Sequence, residues 1–235
     1  MTIAENLRRV LERIAAASHR AGRNAEKIAL MAVTKTFPPE RIREAYEAGQ
    51  RLFGENRVQE FAGKAGSLHD LSGAEWHMIG HLQTNKAGKA AELFSAVDSI
   101  DSLKLAEKVN VAAEKLNKKV DVLIEINVGS EEAKSGVTPD APELQEILQA
   151  AASELRNLRI RGLMTIPPFT ADPQQARPYF RKLRNLGDKI AAQNLPAVAM
   201  EVLSMGMSHD FEVAIEEGAT CVRVGTGIFG ERKRD

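Results

Sequence analysis

Ile28-Ala29-Leu30-Met31-Ala32-Val33 is a run of six apolar residues that stops abruptly at the polar Thr34-Lys35-Thr36. A short, continuous apolar stretch of this kind is what a strand buried on both faces requires, as in a parallel sheet covered by helices. Upstream, Ile3, Leu7, Val10, Leu11 and Ile14 recur at helical spacing. Downstream, Pro39 to Ala48 reads as a helix with Gly49 as its stop.

The alternation continues along the chain. Expected strands are Leu52-Gly54, Trp76-Gly80, Ala96-Ile100, Val120-Val128, Ile160-Ile166, Ala199-Leu203 and Cys221-Val224. Between them lie expected helices at Val58-Ala65 and Thr84-Leu93, then segments whose apolar faces carry Leu105 to Leu116, Leu144 to Leu155, and Ala176 to Ile190. The last runs from His209 to Glu217, with Ser208 as N-cap and Gly218 beyond its end. Eight strand–helix units predict a single (β/α)₈ barrel over residues 1–235, with the first helix as an addition that caps or flanks it.

Composition bounds the function. The 32 basic residues balance 32 acidic ones, so no global field draws the protein to nucleic acid or to an anionic membrane, and any anion site must be local. Cys221 is the only cysteine, which excludes an intramolecular disulfide and fits a reducing, cytoplasmic setting. The first residues lack the apolar core of a signal peptide, and no apolar run approaches the roughly 20 residues that span a bilayer. The closing Arg232-Lys233-Arg234 reads as a solvated basic end.

Barrels of this type carry their sites at the C-terminal ends of the strands. There the sequence offers Lys35, Asn56, His81, Asn127, Met164-Thr165, Ser204-Met205-Gly206, Arg223 and Gly225-Thr226-Gly227. The glycines and hydroxyls after strands seven and eight suit a phosphate held by backbone N–H groups, Ser204 and Thr226, although tight βα turns favour glycine too. Lys35 follows a desolvating apolar run, which favours an amine reactive toward aldehydes, against the commoner solvated loop lysine. A phosphorylated aldehyde would satisfy both features. His77 and His81 are four residues apart, about 13 Å on a strand, too far to share a metal ion. Glu125 and Asn127 share a strand face opposite Ile124 and Ile126, which leaves Glu125 two readings, a group pointing into the barrel or a structural hydrogen-bonding one.

Several longer motifs go further. Ala32-Val33-Thr34-Lys35-Thr36, Phe53-Gly54-Glu55-Asn56-Arg57-Val58-Gln59-Glu60 and His77 through Lys86 resemble the pyridoxal phosphate homeostasis protein family. So do Gly162-Leu163-Met164-Thr165, Leu203 through Ser208, and Arg223-Val224-Gly225-Thr226. The resemblance spans residues 29 to 230. It implies a barrel like the N-terminal domain of alanine racemase and pyridoxal 5′-phosphate as cofactor, with Lys35 as the Schiff-base lysine. Ser204, Gly225 and Thr226 would hold the phosphate and Arg223 would face the pyridine nitrogen. Asn56, His81, Met164 and Met205 would line the pocket. Where members commonly place a second basic residue just beyond the lysine, this chain has Phe37.

The residues also bear on turnover. An arginine facing the ring nitrogen leaves that nitrogen neutral and weakens the ring as an electron sink. The two tyrosines, Tyr46 and Tyr179, fall in outer helices, and Cys221 starts its strand at the wrong end, so no second base is evident. The expectation is a non-catalytic carrier that buffers or delivers cofactor, with pyridoxal-phosphate-dependent apoenzymes as partners, and a monomer or weak homodimer. An amino-acid racemase is the alternative, with His81 or a partner chain supplying the base. A Schiff-base aldolase is more distant, because such enzymes place the lysine on a later strand.

Overall fold

Beneath the continuous apolar run of the first strand lies a period of two. Leu30 and Ala32 pack outward into the layer shared with the helices, whereas Met31 and Val33 meet Ile79 and Cys221 in a separate cluster inside the sheet. Inner and outer layers are both apolar, which is why the alternation cannot be seen in the sequence. Lys35 continues the inward series 31, 33, 35.

A computed structural model describes residues 1–129, 131 and 135–231. The basic end at Arg232-Arg234 lies outside the described residues. Eight parallel strands close into a barrel in sequential order: β1 (Ala29–Val33), β2 (Leu52–Glu55), β3 (Glu75–Met78), β4 (Ala96–Ile100), β5 (Val120–Glu125), β6 (Leu158–Met164), β7 (Val198–Ser204) and β8 (Cys221–Val224). Closure is made by β1 on β8, with Ala29 opposite Cys221 and Ala32 opposite Val224. The helices are α1 (Ile3–Arg20), α2 (Pro39–Glu47), α3 (Val58–Ala65), α4 (Ala87–Leu93), α5 (Leu103–Lys115), α6 (Pro142–Ser153), α7 (Arg177–Ala191), α8 (Phe211–Glu216) and α9 (Thr226–Phe229).

The predicted (β/α)₈ barrel is therefore present, with differences at its edges. β5 ends at Glu125 rather than Val128, because Ile126 leaves the strand to form an isolated bridge with Val137. α8 begins at Phe211, and Ser208 is not its cap; Asp210 holds that position, and its Oδ1 accepts from the Met207 N–H at 2.6 Å. The single turn α9 was not anticipated. β6 and β7 approach so closely that a Cβ on Gly162 would lie 1.8 Å from the Val202 carbonyl oxygen, so only glycine fits there.

α1 opens with a capping box, Thr2 and Glu5 each bonding the other's backbone N–H. Its buried face (Ile3, Leu7, Val10, Ile14) packs against α8 and α9. Asn6 Nδ2 donates to the Ile228 carbonyl at 2.8 Å, so this added helix fastens the turn that follows β8. Among the described residues no helix is long and apolar enough to cross a membrane.

Candidate functional site

The inward series of several strands converge at the C-terminal mouth on a cavity of about 580 Å³. That volume lies within the range of small-molecule sites, roughly 300–1,000 Å³. Lys35 after β1, Asn56 after β2, His81 after β3, Glu125 at the end of β5, Asn127 just beyond it, and Arg223 from β8 all line it. Gly225 and Thr226 form one end. Six of the residues singled out by the sequence (Lys35, Asn56, His81, Arg223, Gly225 and Thr226) are thus brought together.

Three others are not on the cavity wall. Met205 shares the outward parity of Leu203 and is buried in the layer under the helices. Met164 is buried one level below the mouth, in register with Ser204. Ser204 is also buried, and its Oγ accepts from Arg223 Nη1 at 2.7 Å. Of the expected set, Ser204 and the two methionines thus lie behind the cavity wall rather than on it. β7 ends at Ser204, as its sequence predicts, but the turn after it continues past Gly206 before the cavity wall begins. The chain reverses at Gly206, whose φ of 92° is in the left-handed region and whose Cβ would sit 2.6 Å from that of Ala214.

Beyond that reversal, Met207, Ser208 and His209 line the cavity. The Gly227 N–H donates to Ser208 Oγ at 3.3 Å, tying the loop after β7 to the one after β8. Ser208, Gly225 and Thr226 therefore make the hydroxyl-and-glycine end of the site. Their motif was visible in the sequence, but Ser208 was read only as a helix cap.

Arg223 is 3% exposed and held on two sides, since Nη2 also donates to the Thr165 carbonyl at 2.8 Å. Burial lowers its pKa, opposed by the negative charges around it, including Asp98, Glu125 and Asp210. Arginine stays charged in such surroundings, so a fixed cation stands at the floor of the mouth. Glu125 is the acidic counterpart. Burial first, then the charge of Asp101, pushes its carboxyl up to about 7, against the opposing pull of Arg223 and His81. At the rim, His81 Nδ1 lies 2.9 Å from Asp101 Oδ2.

The turn that carries Lys35 is supported from behind. Thr36 adopts φ 68°, unusual for a β-branched residue, and its N–H donates to Glu60 Oε1 at 2.6 Å. The buried amine of Lys64 donates to the carbonyls of Thr34 (3.1 Å) and Phe37 (3.3 Å) and to Glu60 Oε1 (3.1 Å). Thr34 Oγ donates to Glu55 Oε1 at 2.6 Å. Phe37 lines the cavity and stacks on Phe229 with ring centroids 4.7 Å apart.

His77 belongs elsewhere. It faces a smaller cavity of about 240 Å³ at the other end of the barrel, beside Cys221, with Nδ1 3.1 Å from Asp98 Oδ1. His77 and His81 thus serve opposite mouths.

A closed barrel of eight parallel strands, with a lysine just after its first and a glycine–hydroxyl turn after its last, defines a (β/α)₈ protein with its site at the C-terminal mouth. Residues 5–233 match the family model described as "Alanine racemase, N-terminal domain". An alanine racemase of Clostridium difficile 630, in complex with cycloserine, superposes with a TM-score of 0.74 at 18% identity, over 98% of this chain and 61% of that one, a likeness of fold alone. Two relatives are nearer. The pyridoxal phosphate homeostasis protein of Aquifex aeolicus is 52% identical over 99% of this chain and 100% of its own. PipY of Synechococcus elongatus, in a structure with PLP bound, is 38% identical with a TM-score of 0.82, over 97% of this chain and 100% of that one. The chain belongs to the pyridoxal phosphate homeostasis protein family.

Proposed function

We propose that this protein holds pyridoxal 5′-phosphate in the barrel mouth as a Schiff base on Lys35, and that it serves intracellular cofactor homeostasis rather than turnover. The observation that carries the reading is the meeting of Lys35, Arg223 and the Ser208–Gly225–Thr226 end on one cavity of fitting size. An amine for the aldehyde, a buried cation for the ring and a small-residue end for the phosphate are what this cofactor needs. When bound, it supplies a carbonyl group that condenses with amines. Lys35 would anchor it, Gly225 and Thr226 with Ser208 would receive the phosphate, and Asn56 and His81 would line the ring's surroundings.

Two features support a carrier. The cation facing the ring is an arginine, which keeps its own proton and leaves the ring a weak electron sink. Neither tyrosine lines the cavity; the Tyr46 hydroxyl donates instead to the Ser72 carbonyl on the outer surface. The whole chain as one folding unit, a cytoplasmic setting, apoenzymes as recipients and a monomer or weak homodimer complete the proposal.

The test is the visible absorption spectrum of the purified protein with added pyridoxal 5′-phosphate, native and Lys35→Ala. A Schiff-base band in the native protein that borohydride bleaches, and that the variant lacks, is the expected result. The same band in both, or none in either, overturns the attachment. An amino-acid racemisation assay on the loaded protein separates carrier from racemase.

A further inference from the structure

Glu125 is the only carboxylate among the described residues lining the mouth cavity. It is 7% exposed, and no described N–H or O–H is bonded to its carboxylate, although its backbone carbonyl is paired with the Val137 N–H. A carboxylate this buried is expensive to keep ionised unless donors or cations compensate it. The charged groups facing it are Arg223 from β8, His81 from the turn after β3 and Asp101 from the turn after β4. Its partner across the β5–β6 pair, Met164, is uncharged, and Lys35 and His209 line the same cavity.

An incoming phosphate ester changes this balance in one direction. It brings about −1.5 to −2 charges at neutral pH into the cavity that Glu125 lines, and it displaces water there. Both effects disfavour the ionised form.

We propose that Glu125 takes up a proton from solvent when the cavity receives an anionic phosphate ester, so that ester and proton are bound together. The proposal rests on the reading that this cavity holds such an ester. The linkage has a definite sign. A group whose pKa is higher in the complex than in the free protein favours binding below its free value, and that advantage is lost as pH rises through its bound value. The free value is already near neutrality, since burial pushes the carboxyl up to about 7. Affinity then falls with alkalinity by up to about tenfold per pH unit, which makes a small pH rise a release signal.

The experiment uses pyridoxine 5′-phosphate, which has the ring and phosphate but no aldehyde, so that lysine condensation does not contribute. Calorimetric titration at pH 8, in two buffers of different ionisation enthalpy, reads the protons taken up per site. The native protein is expected to take up more protons than Glu125→Gln, by up to one per site, and to lose affinity more steeply from pH 7 to 9. Equal uptake and equal slopes, or no binding of the ester by the native protein, overturn the proposal. Infrared difference spectra of the native protein alone serve if the variant folds poorly: a protonated-carboxyl band must appear on adding ester at pH 8, and its absence is equally decisive. A normal Schiff-base band on Lys35 with these tests negative removes Glu125 alone. Proton uptake without any Schiff-base band removes the lysine attachment alone.

Discussion

Lys64 Nζ lies 2.8 Å from Glu55 Oε1, an ion pair sealed between α3 and the barrel wall with side chains 8% and 0% exposed. The same amine bonds two backbone carbonyls of the turn bearing Lys35. The buried pair thus fixes the first strand's end, and Glu55 Oε2 has no hydrogen-bond partner among the described residues.

Removing one partner exposes the imbalance. Lys64→Met leaves Glu55 buried without its cation and is expected to lower stability by about 3–5 kcal/mol. The double variant Glu55→Met/Lys64→Met should lose less than Lys64→Met alone. Urea denaturation of the three proteins decides it, and a double variant weaker than the single would contradict the assignment.

Ser204 and Ser208 should separate stability from ligand binding. Ser204→Ala removes a buried hydrogen bond to a charged guanidinium, worth about 1.5–3 kcal/mol, and lowers the melting temperature. Ser208→Ala, on the cavity wall, leaves the melting temperature within a few degrees and weakens binding of pyridoxal 5′-phosphate. Melting curves and spectroscopic titration of both variants check the division.

Glu125 makes the unliganded protein sensitive to pH. Its folded pKa, pushed up to about 7, exceeds the ordinary value of 4.5. Its contribution to stability is therefore present below 4.5 and is lost as pH rises through about 7. The loss is on the order of 3 kcal/mol by pH 8. Glu125→Gln should escape it, so the native protein and the variant diverge in urea midpoint between pH 5 and pH 8. Parallel curves would contradict the burial of an ionisable carboxyl.

Two glycines should respond oppositely to alanine. Gly162→Ala drives a methyl into the Val202 carbonyl and is expected to cost about 4 kcal/mol or more, or to abolish soluble expression. Gly88, inside α4, has open space where its Cβ would stand, so Gly88→Ala should add about 0.5–1 kcal/mol. Thermal unfolding distinguishes the two.

Much of this architecture is legible in the sequence because each apolar run and the polar residues that stop it mark a strand and its end. Lys35, Asn56, His81 and Arg223 follow from where apolar runs end. That Met205 packs under the helices does not follow from the sequence, because it lies one residue past the end of β7, where strand parity no longer governs. Ser208 was misread because nothing local announces how far Gly206 turns the chain. The Lys64 network was invisible for a different reason. Its members lie in separate elements, and a lysine on a helix reads as solvated until the helix is docked.

The hydrogen bond from Asn6 to Ile228 joins residues 222 positions apart, and β1 gains β8 as its second neighbour only at the far end of the chain. The mouth is therefore complete only once β8 and the turn after it have been made. A chain that lacks β8 has Lys35 beyond a strand paired on one side alone and no completed Gly225–Thr226 turn, so it has no assembled site with which to capture a reactive aldehyde.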